Sequence, residues 1–190
     1  MNSLLWALPG PVSVNLFFAI LPPDGVRTVI AGLGGHLQRT HRLQGRLITS
    51  DCLHNTLASV HDEHGALQDS IARARSIAAR IRYAPFPVRF DQTQSFRQRS
   101  GRHPFVLSGG EGLAPLMAFR QMLASQMRAD GFEVSRSYTP HLTLLWADRC
   151  VGDYPVYPIC WTAEDFVLVL SRVGQSQHTH LGRWPLQYSS

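Results

Sequence analysis

Lysine is absent from this 190-residue chain: all 18 basic residues are arginine, set against 13 carboxylates for a formal charge of +5. Cysteine is scarce as well. Cys52, Cys150 and Cys160 form an odd set with no CxxC spacing, which argues against a disulfide framework or a zinc knuckle and fits a reducing cytoplasm. No apolar run approaches the roughly 18 residues that cross a bilayer, so no membrane association is expected. The opening MNSLLWALPGP lacks a basic segment and a small-residue cleavage site and does not read as a signal peptide. With 44% hydrophobic residues the chain is too apolar for disorder. Its length suits one domain, or two lobes sharing a core.

Genomic base composition is the plainer account of the missing lysine. Whatever its origin, a surface whose cations are all guanidinium matches phosphate oxygens in its fork geometry, and a pI near 9.6 permits a nucleic-acid partner.

Along the chain, the aromatic-rich run from Val14 to Leu21 reads as a strand ended by Pro22-Pro23. A helix follows with Val26, Ile30, Leu33 and Leu37 at helical spacing, weakened by Gly32, Gly34 and Gly35. Leu53 to Val60 reads as a strand. Leu67, Ile71, Ala74, Ala78 and Ile81 mark an amphipathic helix. Val88 to Phe90 is a short strand before a polar, basic connection from Gln92 to His103, and Phe105 to Leu107 is another strand. Leu113 to Met127 is a helix with Leu116, Phe119, Leu123 and Met127 inward, stopped at Asp130-Gly131. His141 to Trp146 and Asp165 to Arg172 are strands, and the tail from Gly174 reads as polar loop. Helices mixed with short strands, without regular βαβ alternation, favour an α+β fold. Residues 1–13 read as an N-terminal extension to a single domain over 14–190.

One tetrapeptide occurs twice. His54-Asn55-Thr56-Leu57 and His141-Leu142-Thr143-Leu144 share the pattern H-x-T-L, 87 residues apart. Nine His, nine Thr and 23 Leu predict about 0.05 such tetrapeptides in a shuffled chain, and two at roughly the one-in-a-thousand level. In a strand, His and Thr of each motif share one face while Leu sits on the other. Two such strands facing one cleft supply two imidazoles and two hydroxyls. That set suits in-line displacement at phosphorus. One histidine acts as base at the entering oxygen and the other as acid at the leaving oxygen, while threonines bind the non-bridging oxygens. The design calls for no metal and no other cofactor.

At these residues the chain resembles the RNA 2′,3′-cyclic phosphodiesterases, also called 2′-5′ RNA ligases (LigT-like), of the 2H phosphoesterase superfamily. NLFFAILPPDGVR, DCLHNTLASV, FPVRFDQTQSF with HPFVL, ADGFEVSRSYTPHLTLL and DFVLVLSRVG carry the likeness, which runs from about Asn15 to Leu186. It implies a bilobal α+β fold, with two antiparallel sheets forming a central cleft, helices outside and pseudo-twofold symmetry. It further implies His54 as proton donor, His141 as proton acceptor, and Thr56 and Thr143 as phosphate ligands. The implied partners are RNA ends carrying 2′,3′-cyclic phosphate, tRNA fragments among them, or small cyclic nucleotides, handled by a cytoplasmic monomer. Many relatives carry Arg where this chain has Trp146. A C-terminal Tyr is replaced by the His178-Thr179-His180 region.

Arg97, Arg99, Arg102 and His103 lie in the connection that by resemblance borders the cleft, so Arg97 and Arg99 join Trp146 as candidate substrate contacts. Phe96 either stacks on a base or packs under its loop. His61-x-x-His64 and His178-x-His180 have metal-compatible spacing but no acidic or Cys partner nearby in sequence. Cys52 reads as a small buried thiol. The alternatives to cyclic phosphodiesterase are a 2H enzyme for 2′-5′ linkages or small cyclic nucleotides, and a non-catalytic module that binds RNA ends.

Overall fold

Val14–Ile20 forms β1, and its apolar character follows from its place, because hydrogen-bonded neighbours flank it on both sides. The computed structural model describes residues 13–61, 66–99, 101–172 and 177–188. After β1 come α1 (Asp24–Thr40), β2 (Gly45–Leu47), a 3-10 turn (Ser50–Cys52), β3 (Asn55–Ser59) and α2 (Leu67–Arg80). The chain continues with β4 (Phe86–Ser95), β5 (His103–Ser108), α3 (Ala114–Ala129), β6 (Leu142–Ala147), β7 (Tyr154–Ala163), β8 (Asp165–Arg172) and β9 (His178–Pro185).

The strands run β7-β4-β5-β6-β3-β1-β8-β9, every pairing antiparallel, with β2 added beside β6. The α+β class stands. The two sheets expected from the resemblance are one by hydrogen bonding: two four-stranded halves joined between β3 and β6 at a single pair, Asn55 with Leu142. Each half carries one H-x-T-L motif on its innermost strand. The same unit builds both sides, since β1-α1 leads to β3 and β5-α3 leads to β6.

Helix α3 buries Leu116, Phe119, Leu123 and Met127 completely, as its periodicity predicts. Phe119 meets Tyr83, Phe86 and Phe166 at ring separations of 5.1–5.3 Å, tying α3 to β4 and β8. Each buried aromatic of this kind stabilises the fold by roughly 1.5–3 kcal/mol. The stop after α3 also holds. Gly131 adopts φ +87°, and Phe132 N–H returns to the Met127 carbonyl at 3.0 Å. On α2 the stripe is buried from Ile71 onward, while Leu67, in the first helical position, stays exposed.

Two readings are corrected. The tail is not loop, because residues 178–185 form β9 along β8, and β4 extends to Ser95 through the polar stretch read as a connection. β9 is an edge strand with little to bury. β4 draws its stability from pairing on both sides, with Thr93 buried and its hydroxyl donating to the Tyr154 carbonyl at 3.2 Å. Among the described residues no helix is long and apolar enough to cross a membrane.

Candidate active site

His54 and His141 each sit one residue before the first paired position of β3 and β6, and both line one cavity of about 700 Å³. Their anchoring is the same. His54 Nδ1 lies 2.7 Å from the Cys52 carbonyl, and His141 Nδ1 lies 2.7 Å from the Thr139 carbonyl, two residues back in each case. A carbonyl only accepts, so Nδ1 carries the proton in both rings. Nε2 is left with a lone pair when neutral and a donor when charged. Thr56 and Thr143 line the same cavity, and among the described residues neither hydroxyl has another partner.

The motif leucines have a structural task that alternation alone does not reveal. Ala19 pairs with Thr56 and Phe18 with Ala58, leaving Leu57 as the extra residue of a β-bulge. Val106 pairs with Thr143 and Phe105 with Leu145, leaving Leu144 in the equivalent position. Both leucines are buried, at 1% and 2% exposure. The carbonyls of both leucines are held: Leu57 accepts from Arg120 Nε at 3.3 Å, and Leu144 accepts from Ile48 N–H at 2.8 Å, where the pairing of β2 with β6 continues.

Arg120 belongs to a buried chain that joins the two motifs. Its guanidinium also donates to the Ser135 carbonyl and lies 4.8 Å from the centre of the Tyr138 ring. The Tyr138 hydroxyl donates to Asn55 Oδ1 at 2.7 Å, and Asn55 Nδ2 donates to the His141 carbonyl at 2.9 Å. Burial, partly offset by Arg120 and the bond to Asn55, raises the Tyr138 phenol well above its usual value, so it stays a neutral donor. Sequence reasoning missed Asn55 and Arg120. For Asn55 the available signal was a polar residue at the core-facing position of an apolar strand; Arg120, on α3, offered none.

Aromatic rings flank both imidazoles. Phe17 stacks on His54 at 4.9 Å, His178 meets His54 edge-on at 4.9 Å, and Phe96 meets His141 edge-on at 4.9 Å. Phe96 therefore packs against a motif histidine. Burial, offset by the Cys52 carbonyl and reinforced by His178 and His141, holds His54 down to about 4 from the ordinary 6.5. Burial also lowers His141, against the opposing pull of the Thr139 carbonyl.

Of the other candidates, Trp146 lines the cavity at 40% exposure. Arg97 and Arg99 do not; they are exposed on the connection between β4 and β5. Among the described residues the guanidinium groups in the wall are those of Arg46 on β2 and Arg172 on β8, and no described Asp or Glu lines it. His61 and His178 are lining residues, His180 is not, and His64 lies outside the described residues. Among the described residues no three His, Cys, Asp or Glu side chains gather as a metal site. Cys52 is buried and in no disulfide, and its carbonyl accepts from His54 Nδ1.

No curated protein matches the chain by sequence. Solved structures do. E. coli LigT complexed with 3′-AMP superposes with a TM-score of 0.71 at 28% identity, covering 90% of this chain and 97% of LigT. LigT in apo form gives 0.71 at 26%, covering 92% and 98%. A Thermus thermophilus protein at 20% identity shares the fold, with a TM-score of 0.69 over 93% of this chain and all of its own. The 2′-5′ RNA ligase superfamily model matches residues 14–172. With that match spanning both histidine motifs, the chain belongs to the 2′-5′ RNA ligase superfamily, as a LigT-like 2H phosphoesterase.

Proposed function

We propose that this protein hydrolyses 2′,3′-cyclic phosphate ends of RNA to 2′-phosphates by two-histidine acid–base catalysis. One observation carries the reading: both imidazoles are tethered through Nδ1 to a carbonyl two residues earlier and line the same cavity. E. coli LigT structures with 3′-AMP, ATP and phosphate support nucleotide phosphate as the ligand class.

In the proposed reaction His141 Nε2 takes a proton from water as the water oxygen attacks phosphorus. The P–O3′ bond breaks and His54 Nε2 delivers a proton to the departing 3′ oxygen. One water is consumed, and a 2′-phosphate and a free 3′-hydroxyl result. The Thr56 and Thr143 hydroxyls donate to the non-bridging oxygens as charge builds on them. In the free protein His54 is neutral near pH 7. The proposed acid role requires it charged, and a phosphodiester anion held beside it raises its pKa toward that state, the proton being taken up from solvent with the substrate. A 5′-hydroxyl in place of water gives a 2′-5′ linkage by the same steps.

The test is an RNA oligonucleotide ending in 2′,3′-cyclic phosphate, with the phosphate position in the product assigned by phosphorus NMR. A 2′-phosphate is expected, with turnover lost in His54→Ala and in His141→Ala while both variants still bind RNA. A 3′-phosphate product, or full activity in either variant, would overturn the mechanism. Binding without turnover by the native protein would make it an RNA-end-binding module.

A further inference from the structure

β2 is three residues long, and apart from Leu47, half-buried against the core, it packs little. Its position is nevertheless fixed from several sides. Gly45 adopts φ +155°, and a Cβ there would lie 2.0 Å from the Trp146 carbonyl oxygen, so only glycine allows this approach to β6. Gln38 Nε2 donates to the Gly45 carbonyl at 2.9 Å. Gln44 and Asp148 exchange two bonds: Gln44 N–H to Asp148 Oδ1 at 2.8 Å, and Asp148 N–H to the Gln44 carbonyl at 2.9 Å. The result is that Arg46 stands directly across from Trp146.

Both side chains are exposed and both line the cleft. Among the described residues the Arg46 guanidinium has neither an ion pair nor a hydrogen bond. By strand rise Trp146 lies roughly 10 Å beyond Thr143. An exposed indole beside an uncommitted guanidinium, in a wall with no carboxylate among the described residues, is the chemistry of a stacked base and its phosphate.

We propose that Arg46 and Trp146 form a nucleotide subsite next to the reacting phosphate. Trp146 stacks on the base of the terminal nucleotide, and Arg46 binds the phosphate on its 5′ oxygen. The preferred substrate is then an oligonucleotide end rather than a lone nucleoside cyclic phosphate. This rests on the phosphodiesterase reading above and adds a specificity to it.

The experiment compares kcat/KM for uridine 2′,3′-cyclic phosphate, its 5′-phosphorylated form, and a dinucleotide ending in the same cyclic phosphate. The native protein is expected to favour both 5′-phosphate substrates by about tenfold or more. A gain confined to the dinucleotide places the contact on an internucleotide diester, and a gain shared by both places it on any 5′-phosphate. Arg46→Gln brings all three within about threefold of one another, and Trp146→Ala raises KM for all three more than it lowers kcat. Arg172→Gln, from the opposite half, keeps the preference. No preference in the native protein, or one that survives in Arg46→Gln or vanishes in Arg172→Gln, overturns the subsite. If none of the three is turned over, the phosphodiesterase reading fails. Calorimetric binding of uridine 2′-phosphate against uridine 2′,5′-bisphosphate then decides the subsite alone, equal affinities counting against it.

Discussion

Asn55 Nδ2 donates to the main-chain carbonyl of His141 at 2.9 Å, so the residue that follows one motif histidine holds the backbone of the other. The bond crosses the seam where the two halves of the sheet share a single pair. Positioning of the imidazoles relative to each other therefore runs through Asn55, and through Tyr138 and Arg120 behind it.

Asn55→Asp keeps the size of the side chain and removes the donor, leaving the His141 carbonyl facing a buried carboxylate. We expect a stability loss of about 2 kcal/mol, read by denaturant titration. Turnover should fall at least tenfold under conditions where the variant is fully folded. Tyr138→Phe, which leaves only Asn55 Oδ1 unpaired, should give a smaller loss of about 1 kcal/mol.

The pH dependence of the reaction follows from the two depressed imidazoles. Burial sets both His54 and His141 below 6.5 in the free protein, so the kcat/KM bell is expected to centre on the acid side of 6.5. The kcat bell, which reports the complex, should lie at higher pH because the bound anion raises both groups. Proton NMR of the histidine rings with and without inorganic phosphate gives an independent reading. A His54 value unmoved by phosphate would count against the acid role.

Stability should respond to pH through the same residue. His54 titrates at about 4 when folded and near 6.5 when unfolded, so the unfolded chain binds more protons in between. Its contribution is whole above 6.5, is lost as pH falls from 6.5 toward 4, and levels off below. The expected loss is roughly 1–3 kcal/mol, and thermal melts of His54→Gln should show a flatter pH profile across this window.

Thr56 and Thr143 offer hydroxyls with no other partner among the described residues. Thr56→Val and Thr143→Val preserve shape and remove one phosphate donor each. We expect kcat/KM to fall about ten- to a hundredfold in either variant, with Tm within a few degrees of the native protein. An unchanged rate in both would remove the threonines from the mechanism.

The shared face of each histidine and threonine was readable because it is local: His54 with Thr56 and His141 with Thr143 are set by strand alternation within four residues. The long amphipathic helices α2 and α3 were readable for the same reason. The rest depends on pairing across the sheet. β7 contains Pro155 and Pro158 and lies at an edge, where missing amide donors are tolerated, so its pattern resembles loop. Arg46 is carried by a strand of three residues whose location is decided by Gln44, Asp148 and Gly45 rather than by any apolar period. Arg97 and Arg99 looked closer to the cleft because they cluster in sequence, yet the turn between β4 and β5 leaves them in solvent. Alternation places Asn55 on the core-facing side of its motif, but the carbonyl it holds lies 86 residues away and is brought there only by pairing across the seam.

The bulges at Leu57 and Leu144 tie each motif's leucine to packing rather than to the ladder. Ala19 stands opposite Thr56 and Phe18 opposite Ala58 with or without the extra residue, so losing Leu57 would keep the face of His54 and Thr56 while removing a buried side chain and the carbonyl that Arg120 holds. Loss of Asn55 or Leu142, between the histidine and the threonine, would instead turn the imidazole to the opposite face of its strand from its hydroxyl. Each motif thus tolerates a change of length on one side of its threonine and not on the other.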